Sequence, residues 1–420
     1  MNKRKKQIYF FIRNFANYDH LAPVIHLLSL KKTIKLNLVY SKINYNYNLD
    51  LHHLFFRENK EINIIDNTNL YKNNRLFTFG FLNILINLNH YFKNKFINKI
   101  IFKIEAIQDK LFDEKLLAEC NKKIKNNQIL GIFDYSSSKS TNKIKNLIYL
   151  NGGQCFNLPH WVWLWKNNLR CIDMMSFDKN DPYSFGSFHK KDINFIENRR
   201  SKEILKSLGA DDKNIKFFGS PRFSKKWIIN KKKHLKEKKF SFHNKKIKIL
   251  ILSPKIWDNI FWDELIRSIT LFTEKKSIVV VIKKHPSIKE YDNSAFPLIL
   301  RNEKNVKMIS NEYSSSELID WSDIVVNVNT TVFFEAIIKN KISINLNHLH
   351  TNQFFFTSMN AYREIKNRDE LVEFINDIEK NSKDLKSNKK SIEKFLFKTV
   401  YKNSSNPDEE LATYLENFSL

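Results

Sequence analysis

From residue 247 onward the chain repeats one pattern: a short aliphatic run, a polar loop, then a stretch with helical spacing. The aliphatic runs are IKILILS (247–253), SIVVVIK (277–283), NVKMIS (305–310), DIVVNV (323–328) and ISINL (342–346). Between them lie FWDELIRSITLFTEK (261–275), SSELIDW (315–321) and TVFFEAIIKN (331–340), and a helical region from about Arg368 to Asn417 closes the chain. Strands alternating with helices predict βαβ units and a parallel, doubly wound sheet. The first half shows the same alternation less cleanly. Its expected strands are IYFFI (8–12), LNLVY (36–40), ILGIFD (129–134) and QCFNLP (154–159). They are separated by amphipathic stretches such as HLAPVIHLLSLKK and NKFINKIIFKIEAIQDKLFDEKLLAEC.

The expected class is α/β, with two Rossmann-like domains facing each other across a cleft and helices at the C-terminal end. The expected boundaries are an acceptor domain over 1–227, a charged linker over 228–246 and a nucleotide-donor domain over 247–400. A last helix, within 401–420, is placed to cross back to the first domain. A chain of 420 residues exceeds what one core usually organises, which agrees with two domains.

Composition excludes several function classes. Only seven glycines occur, and neither GxGxxG nor GxxxxGK[ST] is present, which argues against a nicotinamide dehydrogenase or a Walker-type NTPase. The formal charge is +27, from 71 Lys and Arg against 44 Asp and Glu, and it favours anionic partners. The excess is mostly lysine spread along the chain beside abundant Asn and Ile, with no nucleic-acid-binding signature, so no nucleic-acid partner is expected. An anionic membrane surface fits better. Cys120, Cys155 and Cys171 lie far apart without a CxxC pair, so neither a zinc site nor a disulfide framework is expected, and a reducing cytoplasm fits. The opening MNKRKKQIYFFIRNF is broken by Arg13 and reads as a first strand rather than a signal peptide. LFTFGFLNILINLNHYF carries interior asparagines and falls short of a membrane span.

The polar residues of the second half gather at strand ends. Ser253-Pro254, Lys283-Lys284-His285-Pro286 and Asn329-Thr330-Thr331 each sit at or just after the end of an expected strand. In open α/β sheets that edge is where ligands bind. At Asn329-Thr330-Thr331 the amides and dipole of the following helix, with two hydroxyls, suit an anion; helix capping alone explains one hydroxyl equally well. Glu335, one turn further, suits a ribose hydroxyl or a solvated helix face. His285, restrained by Pro286, suits a phosphate donor contact, and the two lysines suit added charge or plain strand-end solvation.

Together these pieces, IKKHPS and ELIDWSDIVVNVNTTVFFEA, resemble the C-terminal pattern of GT-B glycosyltransferases that use cytidine nucleotides. Bacterial sialyltransferases, Kdo transferases and CDP-glycerol glycerophosphotransferases share that pattern. IKFFGSPRFSKKW (215–227) resembles their G-x-P-R-[FY] element, and GIFDYSSSKS with GGQCFNLPHWVWLW resembles their first-domain PHG segment. One departure is Trp161, where the family has glycine. The resemblance covers roughly residues 130–340 and implies that His285, Thr330 and Thr331 hold the donor phosphate. It implies a donor-nucleotide site of Ser253, Pro254, Lys284, His285, Pro286, Asn329, Thr330, Thr331, Glu335, Gly219, Ser220 and Arg222. Arg222 either pairs with a phosphate or sugar carboxylate or ties the linker to a domain.

FANYDHLAPVIHLL resembles the opening loop of GT-B first domains. The general base is then His160, Asp19 or His20, although Asp19 is also a good N-cap for a helix starting at His20. The implied activity is a metal-independent, cofactor-free transfer of a sugar, CMP-linked like Kdo or a sialic-acid-like sugar, to a surface polysaccharide or lipopolysaccharide acceptor. The partners are a nucleotide-sugar donor and a glycan or glycolipid acceptor, with peripheral contact to the anionic inner leaflet. No DxD sequence is present, in agreement with a metal-free mechanism. Two alternatives remain open: an enzyme like UDP-N-acetylglucosamine 2-epimerase, and a catalytically inactive nucleotide-sugar-binding protein.

Overall fold

The computed structural model describes residues 6–12, 15–40, 51–66, 129–134, 149–152, 193–197, 199, 202, 206, 211–236, 238–243, 246–254, 260–285, 304–310, 312–328, 330–349, 358–381 and 387–417. They form two compact units, residues 1–222 with 407–420, and residues 223–406.

In the first unit β1 (Lys6–Ile12), β2 (Ile34–Tyr40), β3 (Ile62–Asp66), β4 (Ile129–Asp134), β5 (Tyr149–Gly152), β6 (Ile193–Ile196) and β7 (Ile215–Phe217) make one sheet. Its order is β3-β2-β1-β4-β5-β6-β7, and every pairing is parallel. Helix α1 (Phe15–Lys31) follows β1, and α2 (Leu51–Phe56) precedes β3. The expected strand QCFNLP lies outside the described residues; the strand found nearby is β5, ending at Gly152. Strands β3, β6 and β7 were not expected. Two of them span only three or four residues, too few for a period to emerge.

The second unit holds β8 (Ile247–Leu252), β9 (Ile278–Lys283), β10 (Val306–Ile309), β11 (Ile324–Asn327), β12 (Ile342–Leu346) and β13 (Arg363–Ile365). The sheet order is β10-β9-β8-β11-β12-β13, again all parallel. Numbered from β8, this is the 3-2-1-4-5-6 order of a doubly wound dinucleotide-type fold, with its switch point between β8 and β11. All six residues of β9 are buried, as strands covered on both faces must be.

Helix α3 (Lys225–Leu235) opens the second unit and corrects the expectation of a linker over 228–246. Trp227, Ile228, Lys231 and Leu235 are buried, and their spacing of one, four and eight residues is helical. The eight lysines of 228–246, Lys231 itself included, masked that stripe in the sequence. Lys236 closes the helix in the left-handed region at φ 49°. The rest of the unit comprises α4 (Trp262–Thr273), α5 (Ser315–Trp321), α6 (Phe333–Ile338), α7 (Arg368–Asn381) and α8 (Lys389–Thr399). Helix α9 (Pro407–Asn417) belongs to the first unit, where Glu416 accepts from Lys31 Nζ at 2.6 Å and from the Thr33 hydroxyl at 2.8 Å.

Candidate functional site

Strand register sets the level of each loop in the second unit. Leu252 at the end of β8 pairs with Lys283 on one side and Asn327 on the other. Ser253, Lys284 and Val328 therefore leave the sheet at one level, flanking the switch point, with His285 and Thr330 just beyond. Ser253 and Pro254 are buried, while Lys284, His285, Thr330 and Thr331 are half-buried. The Ser253 amide donates to the Lys283 carbonyl at 3.0 Å and the Lys284 amide to the Ile309 carbonyl at 2.9 Å, so both loops begin on fixed backbone. Pro286 and Asn329 lie outside the described residues.

The turn into α6 is built by a residue that pattern reading passed over. Asn327, fully buried, donates from Nδ2 to Asn345 Oδ1 at 2.6 Å and accepts the Thr330 amide at 2.9 Å on its own Oδ1. Asn345 in turn donates to Asn347 Oδ1. This relay of amides corrects two expectations. The helix starts at Phe333, with Val332 at its cap, rather than directly at Thr331. The Thr330 amide is occupied by Asn327 and is not open to an anion. A polar residue in an otherwise apolar strand, IVVN, was the available signal.

The expected ligand Glu335 and the neighbouring strand-end Lys283 have different surroundings from those anticipated. Glu335 is buried, with Lys339 Nζ 3.1 Å from Oε1 and Lys231 Nζ 3.8 Å from Oε2. It does not belong to a solvated helix face. Lys283 does not solvate the strand end. Its ammonium is buried and donates to the carbonyls of Ser310 and, at 2.9 Å, Tyr313. Burial pushes it down to about 8, with Glu312 offsetting part of the effect.

The first unit holds a second polar cluster. Asp19 and His20 lie inside α1, not at its start, because Tyr18, Leu21, Ala22, Ile25 and Leu28 extend one buried stripe along the helix. Asp19 is therefore not an N-cap. Pro23 supplies no N–H to the Asp19 carbonyl one turn earlier. Asp19 Oδ2 meets Arg222 Nε at 2.6 Å, and its Oδ1 lies 3.5 Å from His52 Nε2. His20 Nδ1 is 3.1 Å from Glu197 Oε1, which also accepts the Ser220 hydroxyl at 2.9 Å. Arg222 Nη1 lies 3.5 Å from His20 Nε2. Gly219, at φ 93°, makes the turn that sets Ser220 and Arg222 toward α1. Asp19 and His20 were expected as base candidates and Ser220 and Arg222 as donor-nucleotide ligands, and the structure groups all four in the first unit; His52 and Glu197 were not expected. His160 lies outside the described residues. Among the described residues no three His, Cys, Asp or Glu side chains group as a metal site.

No family model matches the chain. The urease accessory protein UreD of Aliarcobacter butzleri (strain RM4018) is 29% identical over 147 residues, 32% of this chain. The chain spans only 54% of that protein's length. Solved structures match far more of the chain. UDP-GlcNAc 2-epimerase from Neisseria meningitidis, bound to UDP-GlcNAc, has a TM-score of 0.56 at 14% identity over 98% of this chain and 100% of that one. The wall teichoic acid polymerase TagF, soaked with CDPG, has a TM-score of 0.55 at 11% identity over 98% of this chain and 88% of that one. S. aureus MnaA with UDP has a TM-score of 0.52 at 10% identity over 98% and 96%. The chain thus has a GT-B-like fold, two Rossmann-like α/β domains shared by glycosyltransferases and epimerases. At these identities the likeness is one of fold.

Proposed function

We propose that the chain is a GT-B glycosyltransferase that moves a sugar from a nucleotide donor, CMP-linked, to a surface polysaccharide or lipopolysaccharide acceptor. The observation that carries the reading is the shared level of Ser253, Lys284 and Val328 at the switch point, with His285 and the Thr330-Thr331 pair just beyond. His285 and the two hydroxyls take the donor phosphate, and they stabilise it as it leaves without calling on a metal. In the first unit a base accepts the acceptor's hydroxyl proton. Of the two described candidates, Asp19 is held in a 2.6 Å ion pair with Arg222, whereas His20 Nε2 meets that guanidinium only at 3.5 Å, which favours His20. TagF soaked with CDPG supports a cytidine donor by analogy of fold.

The experiment is a thermal-shift panel with CMP, CDP, UDP and GDP on the wild type and on His285→Ala. A cytidine nucleotide is expected to stabilise the wild type by about 2.7 kcal/mol at 100 times its Kd. His285→Ala is expected to bind about tenfold or more weakly, the worth of one charged hydrogen bond of roughly 1.5–3 kcal/mol. If no cytidine nucleotide stabilises the wild type, the donor assignment fails. An equal response from His285→Ala removes that residue's role. The Neisseria epimerase, bound to UDP-GlcNAc, supports a second reading. It predicts stabilisation by UDP and turnover of UDP-N-acetylglucosamine with no acceptor present.

A cytoplasmic enzyme meeting a lipid-linked acceptor needs a membrane-facing surface, and α3 offers one. Lys225, Lys226, Lys233 and Lys236 are exposed, and Ile229 among them is 65% exposed. Among the described residues no helix is long and apolar enough to cross a membrane. The protein is expected to sediment with vesicles containing phosphatidylglycerol but not with pure phosphatidylcholine. Replacing the four lysines by glutamine should weaken this about 100-fold or more, at about 1 kcal/mol per lysine. Unchanged sedimentation removes α3 as the contact.

A further inference from the structure

We infer that Glu197 is a positioning residue that sets the tautomer of His20, making Nε2 the ring's proton-accepting nitrogen. The inference rests on the reading of His20 as the base of the proposed transfer. His20 comes from α1, Glu197 follows β6 directly, and Ser220 and Arg222 follow β7, so one unit supplies all four. Glu197 is 1% exposed and His20 is 7% exposed.

The ring is read from both edges. Glu197 Oε1 sits 3.1 Å from Nδ1, and a carboxylate only accepts, so Nδ1 carries the proton. Arg222 Nη1 sits 3.5 Å from Nε2, and a guanidinium only donates, so Nε2 presents its lone pair. Arg222 is itself oriented by Asp19 through Nε at 2.6 Å. Glu197 and Arg222, which follow different strands, thus impose the same tautomer.

Glu197 is not fully used as a structural tie. Its Oε1 serves His20 and Ser220, while its buried Oε2 has no hydrogen-bond partner among the described residues. In the transfer step the acceptor hydroxyl displaces the 3.5 Å Arg222 contact from Nε2, and the hydroxyl's proton passes to that nitrogen. The oxygen's electron pair forms the bond to the anomeric carbon as that carbon's bond to the nucleotide phosphate breaks. The phosphate leaves with that bonding pair, and Glu197 faces the imidazolium so formed.

The test uses the full chain labelled with 15N-histidine, with His20→Gln identifying the His20 signals. At mildly alkaline pH the wild-type neutral ring is expected to carry its proton on Nδ1. Glu197→Gln, which keeps an acceptor oxygen, should preserve that tautomer, and Glu197→Leu should lose it. Kinetics are measured with whichever of a CMP-linked sugar or UDP-N-acetylglucosamine the wild type turns over. Glu197→Leu should lower kcat about 100-fold, the low end of what a placed general base contributes, with KM unchanged. Glu197→Gln should recover most of that loss. A wild-type proton on Nε2 overturns the inference whatever the activity. The Nδ1 tautomer with kcat unaltered in both variants also overturns it, and leaves the proposed function standing. Turnover of neither donor overturns the proposed function and the inference with it.

Discussion

Replacing Asp19 by asparagine is expected to destabilise the first unit by about 3–5 kcal/mol, the usual cost of leaving one member of a buried ion pair uncompensated. Asp19 is 1% exposed and bonds Arg222 at 2.6 Å, and the Arg222 side chain is itself only 13% exposed. Asparagine keeps the size and removes the charge, so the guanidinium stays buried without its counter-ion. Hydrogen exchange in peptides from α1, β1 and β2 reads the effect directly. Protection there should fall by about two to three and a half orders of magnitude, at about 1.4 kcal/mol per decade. The double variant Asp19→Leu with Arg222→Met should recover most of the loss, because it removes both charges together. A single-variant loss below about 1 kcal/mol would show that Asp19 does not bear the guanidinium.

The second large effect concerns Lys283 and pH. Its ammonium titrates at about 8 in the folded chain against 10.5 as the ordinary value. Below about 8 both states carry the proton, and the fold bears the full cost of burying the charge. Between about 8 and 10.5 the unfolded chain binds more protons, so stability rises with pH. Measured against Lys283→Met, in which that titration is absent, wild-type unfolding free energy should gain up to about 3 kcal/mol across this window. Other lysines and tyrosines titrate equally in both proteins and cancel in the comparison. A flat difference would mean that Lys283 keeps ordinary solvation. The neutral amine still donates to the Ser310 and Tyr313 carbonyls, so the loop before α5 should hold its place throughout.

Much of the second unit was legible because its strands are buried on both faces. Runs such as IVVV admit few other readings, and SSELIDW declared a helix whose ends match α5 residue for residue. The first unit was harder. Strands β6 and β7 are too brief for a period to show, and α1 was placed five residues late because a local cap motif outweighed the longer apolar stripe. At the strand ends the residue types were visible, but their bonding was not. Nothing near Lys283 in sequence says that its amine reaches Tyr313, thirty residues on. Glu197 meets His20 across 177 positions, a pairing that only the sheet order β1-β4-β5-β6-β7 creates. Asn327 differs: its place in an apolar strand was legible, and its partner Asn345 lies one strand away.

Helix α9 completes the first unit only after the whole of the second has been read out, since residues 223–406 stand between the unit's two pieces. On the ribosome, roughly 200 residues separate the exit of Arg222 from that of α9, about 10–40 s at roughly 5–20 residues per second. Throughout that interval the α1 end that will carry the Lys31–Glu416 bond waits without its partner, whereas the second unit has every segment it needs once residue 406 has emerged. Translation speed therefore acts on the two units unequally. A pause late in the message prolongs the unfinished state of the first unit and leaves the second, already synthesised, untouched.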